Sequence, residues 1–146
     1  MKVEVKVDAS CEEPKVIVVA NRMTDEIHDL VQKLSVSVPQ MIVGFQEGQA
    51  KILEHGDIVR VFSAGGKVYA ETTDGEYVLK LRLYELDERL DKGRFARISN
   101  SEIINLRKVE KFDLSFAGTI CVRLANGATT YVSRRYVSKI KQVLGI

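Results

Sequence analysis

Two dipeptides, Asp74-Gly75 and Asn126-Gly127, constrain this chain more than any other feature. Each stands between short runs rich in Val, Ile, Thr and Tyr, and each suits the positive backbone φ of a tight hairpin turn. The text around them is a succession of such runs, which predicts strands at 40–46, 49–54, 57–63, 67–72 and 76–79. Further strands are expected at 108–116, 119–124 and 128–132. Leu83, Leu86 and Leu90 mark a short amphipathic helix that Gly93 ends. Ser133 is placed to cap a final helix whose apolar face is Val137, Ile140 and Val143 or Leu144. The pattern specifies an α+β fold, mainly β, built from antiparallel hairpins.

The first forty residues follow a different rhythm and read as a small ββα unit. Val3, Val5 and Val7 alternate with Lys and Glu over 1–8, a half-buried strand, and Val16 to Val19 form a continuous apolar strand within 15–20. Thr24 caps the helix that follows, with Asp25 and Glu26 in its first turn. Ile27, Leu30, Val31 and Leu34 make one helical stripe, and Pro39 closes the unit. So short a segment buries little by itself and is expected to pack on the rest of the chain or on a second copy.

Several function classes are disfavoured. No apolar run approaches the roughly 20 residues of a membrane span, and the alternating N-terminus lacks the apolar centre of a signal peptide, so a cytoplasmic protein is expected. Cys11 and Cys121 are far apart in sequence, and His28 and His55 are isolated, so no metal-ligand spacing exists. Neither a G-x-x-x-x-G-K-[ST] nor a G-x-G-x-x-G loop is present, and no His lies near a candidate nucleophile. The expectation is a protein that is not an enzyme, with no cofactor, metal or small-molecule substrate.

Charge is more informative by region than in total. Residues 87–146 hold twelve basic and six acidic residues, whereas 1–40 and 41–86 each hold five basic and seven acidic. A basic excess at one end fits a nucleic-acid surface, or simply a solvated face. Three segments carry the candidate contacts. Ser63, Gly65, Gly66 and Lys67 form a turn whose backbone can approach a phosphate. Ser99, Asn100 and Ser101 interrupt an apolar stretch beside Arg97, and Asn suits an adenine edge or a phosphate contact. Ser133, Arg134 and Arg135 place two guanidinium groups at a helix N-terminus. Taken singly, the serines and Asn100 also fit caps, and the arginines surface ion pairs.

Taken in order, the residues resemble a known family. Phe95, Arg97, Ser99-Asn100-Ser101, Ile103-Ile104-Asn105 and Val109 resemble the central signature of the LytTR DNA-binding domain. Asn126-Gly127 followed by Ser133-Arg134-Arg135-Tyr136-Val137 resembles its closing turn and helix start, and 57–62 its early strand. The resemblance covers about residues 45–146. It implies three small β-sheets in an elongated domain, with loops rather than a recognition helix entering the major groove. It also implies a bacterial transcription regulator that binds double-stranded DNA at paired direct repeats. On this resemblance 63–67 is the first contacting loop, Asn100 the central contact and Arg135, with Arg134 beside it, the last. Gly65-Gly66-Lys67 replaces the longer polar or His-containing loop common in the family, which favours backbone gripping over base reading.

Many family members carry a receiver domain ahead of this part, for which forty residues are too few. The 1–40 unit is therefore expected to form a homodimer, to dock an inhibitory or membrane protein, or to stabilise the 41–146 domain. Two other classes remain: a β-rich RNA or single-strand binder, and a protein-interaction module without nucleic acid. The first would show stacked aromatics on one strand face, whereas Tyr69, Tyr77, Tyr84, Tyr131 and Tyr136 are scattered.

Overall fold

The computed structural model describes residues 1–35 and 41–146. The chain divides into two compact units, Met1–Val38 and Pro39–Ile146. Pro39, expected to close the first unit, and Gln40, expected to open the first strand of the second, lie outside the described residues.

In the first unit the helix forms and the strands do not. Helix α1 spans Asp25–Ser35, and Thr24 Oγ1 accepts from the Ile27 N–H at 3.3 Å. Residues 1–8 and 15–20, expected as strands, adopt no strand pairing, and Val3, Val5, Val7 and Val19 are all more than four-fifths exposed. A lone strand pair gains too little from burying one face to offset the entropy of ordering it. Between these segments Ser10 donates through its N–H and its hydroxyl to Asp8 Oδ1 at 2.9 and 2.6 Å, a local turn that needs no sheet.

The second unit is the β-rich body. Its first five strands are β1 (Ile42–Gln46), β2 (Gln49–Leu53), β3 (Ile58–Ala64), β4 (Lys67–Thr72) and β5 (Gly75–Leu79). Helix α2 (Leu83–Arg89) follows, then β6 (Phe95–Ser99), β7 (Glu102–Asn105), β8 (Val109–Asp113), β9 (Ile120–Leu124), β10 (Thr129–Val132) and helix α3 (Arg134–Leu144). All pairings are antiparallel, within one seven-stranded sheet ordered β2-β1-β5-β4-β3-β7-β6 and one three-stranded sheet ordered β10-β9-β8.

Among the described residues, two sheets thus stand where three small ones were expected. Pairing of β1 with β5, Gly44 against Leu79 and Phe45 against Val78, joins the first hairpin to the larger sheet. Gly44 makes this approach possible, because a Cβ there would lie 2.7 Å from Tyr77 Cβ and 2.9 Å from Leu53 Cδ1.

Two cores result. Ile42, Ile58, Val61, Tyr77, Leu79, Leu83, Leu86, Phe95 and Ile103 pack together beneath α2. Val59, Ala96, Ile98, Ile104, Ile120, Val122, Leu124, Val132 and Ile140 form the other beneath α3. Strands β6 and β7 sit between the cores: Phe95 and Ile103 face the first, while Ala96, Ile98 and Ile104 face the second. Burial on both faces explains why apolar residues stand side by side here, as Phe95-Ala96 and Ile103-Ile104, instead of alternating strictly with polar ones. Asn105, 1% exposed, closes it by donating from Nδ2 to the Ile58 carbonyl at 2.8 Å and accepting from the Arg107 N–H at 3.0 Å. Helix α2 stops at Leu90, earlier than the expected Gly93, whose N–H instead donates to Asp91 Oδ1.

Candidate nucleic-acid interface

The three candidate segments, remote in sequence, meet through hydrogen bonds. The β3–β4 hairpin turns on Gly65 and Gly66, with φ of +58° and +79°, the sign pattern of a type I′ turn. Open space lies around both glycines, and Lys67 extends from the turn exposed. At the base of this hairpin the Ser63 N–H donates to the Ser101 carbonyl at 2.8 Å, which sets it beside the β6–β7 turn. On the other side the Ser133 N–H donates to the Ile98 carbonyl at 2.8 Å, bringing the start of α3 against β6.

Asn100 occupies the middle of the assembly. It is exposed, and its Oδ1 accepts from the Tyr136 hydroxyl at 3.2 Å. That bond leaves the two Nδ2 hydrogens, donors suited to a base edge or a phosphate, without an acceptor among the described residues. Ser99 and Ser101 shape the turn itself: Ser99 Oγ accepts from the Ser101 N–H at 3.1 Å and lies 3.3 Å from Ser101 Oγ.

Arg97 is engaged in the protein. Its Nε donates to the Ser99 carbonyl at 3.0 Å, a terminal nitrogen to the Asn100 carbonyl at 2.6 Å, and the other lies 3.7 Å from Asp87 Oδ2. The fork therefore clamps the turn that carries Asn100 and ties it to α2. Arg134 and Arg135 are exposed and have no ion-pair partner among the described residues. Arg134 lies over the Gly118 turn, where a glycine Cβ would stand 3.3 Å from its Nε. Ser133 occupies the N-cap position of α3, but its side chain makes no cap hydrogen bond. The expected hydroxyl cap is replaced by the backbone bond to Ile98, which fixes the helix start from outside.

Away from the turns, a polar network joins the two sheets. Arg60 on β3 donates to Glu71 Oε1 on β4 at 2.7 Å and lies 3.6 Å from Glu102 Oε2 on β7. Asn126 donates to Glu71 Oε2 at 2.9 Å, and Thr130 to Glu102 Oε1 at 3.0 Å. Burial pushes the Glu71 carboxyl up, but hydrogen bonds from Arg60 and Asn126, with the Arg60 charge, outweigh it and hold Glu71 below its ordinary value. For Glu102 burial prevails and the pKa is raised, because its contact with Arg60 is long and Arg60 is already bonded to Glu71.

Reasoning from sequence alone missed the roles of three residues. Tyr136, quoted in a motif and among the scattered tyrosines, orients Asn100 from 36 positions away. Lys80 and Arg82 face an open groove beside the β3–β4 turn. The acidic balance of 41–86 concealed these two cations, and only their alternation around Leu81 hinted at a shared face.

Polar and basic groups thus converge on turns between antiparallel strands. No two described helices follow one another directly, since five strands separate α1 from α2 and five more separate α2 from α3. The class is a β-scaffold protein with a loop-borne basic face rather than a helix-turn-helix protein.

The LytTr DNA-binding domain family matches residues 49–145. Two relatives from Staphylococcus aureus, in strains NCTC 8325 and COL, are each 32% identical over 100% of this chain and 99% of their own length. Both bear the description uncharacterised HTH-type transcriptional regulator. A solved LytTr DNA-binding domain from Bacillus cereus superposes with a TM-score of 0.70 at 20% identity, covering 73% of this chain and 97% of that one. The chain belongs to the LytTr DNA-binding domain family.

Proposed function

We propose that this protein is a bacterial transcription regulator that binds specific duplex DNA through turns on its β scaffold. The observation that carries the reading is the convergence of three remote segments. Ser63 bonds Ser101, Ser133 bonds Ile98, and Tyr136 bonds Asn100, which sets Lys67, Asn100 and the Arg134-Arg135 pair around one edge. Family membership and the relatives described as transcriptional regulators support it.

In this reading the Gly65-Gly66 turn brings backbone close to a phosphate while Lys67 supplies charge. Asn100 presents Nδ2 to a base edge in the major groove or to a phosphate, and Arg135 reaches a guanine edge or a phosphate. Arg97, Ser99 and Ser101 keep the central turn in shape. The described exposed valines of the first unit offer apolar surface for a second copy or a regulatory partner protein. Paired direct repeats are the expected target, occupied by two copies.

The test is selection of binding sites from a random duplex pool, followed by affinity measurements at two salt concentrations. Enrichment of two spaced copies of one short sequence, lost in Asn100→Ala and Arg135→Ala, supports the reading. A featureless pool with weak, steeply salt-dependent binding overturns it.

A further inference from the structure

We infer that the groove between the β3–β4 turn and the start of α2 is a second docking surface for the DNA backbone, in which Lys80 and Arg82 hold phosphodiester groups flanking the turn contacts. The inference deepens the proposed function and rests on it.

The groove is open, and its rim carries Lys67, Lys80, Arg82 and Arg97, with no acidic residue among those lining it. Four cations on one concavity concentrate positive potential, because neighbouring charges of one sign with low-dielectric walls focus the field. Their availability differs. Arg97 is spent on the Ser99 and Asn100 carbonyls and on Asp87. Lys67 and Arg82 side chains have no ion-pair partner among the described residues, and both are exposed. Lys80 Nζ stands 4.6 Å from the centre of the Phe45 ring, a contact that orients the ammonium without neutralising it. Arg82 is positioned through its backbone, since its N–H donates to Glu85 Oε1 at 3.2 Å and leaves the guanidinium free to project.

Placement points to the same ligand. Ser63 and Lys67 line the groove and also belong to the first turn, while Arg97 lines it and holds the carbonyl of Asn100. The groove is therefore continuous with the turn cluster, and no residue of α3 lines it. A duplex seated on the turns would carry one strand's backbone along Lys80 and Arg82. Such contacts add affinity without sequence information. Tyr84, 63% exposed on the same rim, adds a hydroxyl donor at that level.

The experiment compares the full chain with a Lys80→Gln/Arg82→Gln variant by fluorescence anisotropy. The probes are the duplex selected above and a scrambled duplex, each titrated across a series of KCl concentrations. Loss of two phosphate contacts is expected to weaken both duplexes by a similar factor, about tenfold. The slope of log K against log salt is expected to fall by roughly 0.9 for each lost contact. Lys80→Arg/Arg82→Lys, which keeps both charges, is expected to restore the slope. Wild-type affinity and slope in the Gln variant, with binding still lost in Asn100→Ala, overturn the groove and leave the turn-based reading standing. A wild-type chain that binds neither duplex overturns both.

Discussion

The hydroxyl of Tyr136 donates to Oδ1 of Asn100 across 3.2 Å and thereby joins helix α3 to the β6–β7 turn. Tyr136 is half-buried against the second core, so the packing of α3 governs where the Asn100 amide points. Preorganisation of this kind lowers the ordering cost of binding.

Tyr136→Phe removes this bond and little else. Affinity for the selected duplex should fall by about 0.5–1.5 kcal/mol, the usual net value of one hydrogen bond. The melting temperature should barely move, because Asn100 is exposed. Anisotropy titration and thermal unfolding of one preparation check both halves, and unchanged affinity would count against an orienting role.

Arg97→Lys keeps a positive charge but loses the fork that clamps the turn. Specific affinity should drop by about 1–3 kcal/mol, while the salt slope stays near the wild-type value. A fall in slope by about one would instead make Arg97 itself a phosphate contact.

Arg60→Met leaves Glu71 and Glu102 facing each other without their shared cation. Breaking a buried pair costs about 3–5 kcal/mol, and partial solvent access at this site lowers the expectation to about 2–4 kcal/mol. Urea unfolding measures it. A loss within experimental scatter would mean that solvent screens the network almost fully.

The two carboxylates should respond to pH in opposite directions. Glu71, held below its ordinary value of 4.5, contributes stability that is present above that value and lost as pH falls through its lowered native pKa. Glu102, raised above 4.5, contributes stability that is fully present below 4.5 and lost as pH rises through its raised native pKa. Melting temperatures from about pH 3 to 7 should show Glu71→Gln losing most relative to wild type at the neutral end. Glu102→Gln should gain on wild type as pH rises, and identical profiles for both variants would refute the opposed signs.

Asn105→Ala strands the Ile58 carbonyl in a buried position and removes an acceptor from Arg107. The expected loss is about 1–3 kcal/mol, readable by urea unfolding, with no direct effect on the salt slope of DNA binding.

Much of the strand order was legible because its signals are local. The 67–72 strand emerged with its expected bounds, and 119–124 and 76–79 shifted by one residue at one end, since alternation and turn residues act over a few positions. The leading strands failed for the opposite reason. Val3, Val5 and Val7 alternate as a strand should, but alternation becomes a strand only when a partner edge and a covering layer exist. The merging of expected sheets was likewise hidden, since it depends on Gly44 admitting Tyr77 at close range.

For the site, residue chemistry marked Asn100, Arg134, Arg135 and the Gly65-Gly66-Lys67 turn as candidates, because donor inventory and charge belong to the side chain itself. Their assembly belongs to the folded chain. The Ser63–Ser101 and Ser133–Ile98 bonds need β3, β7 and β6 paired and α3 packed on the second core. Arg97 could be counted as a cation from the sequence. Its commitment to the turn follows from where tertiary structure places two carbonyl oxygens, and the free cations of the groove follow from the folding of β5 and α2 against the first turn. Local pattern therefore decided where most elements of the second unit lie and which chemical groups this protein has. Long-range burial and pairing decided which of those groups share one surface, because contacts between distant residues exist only in the packed state.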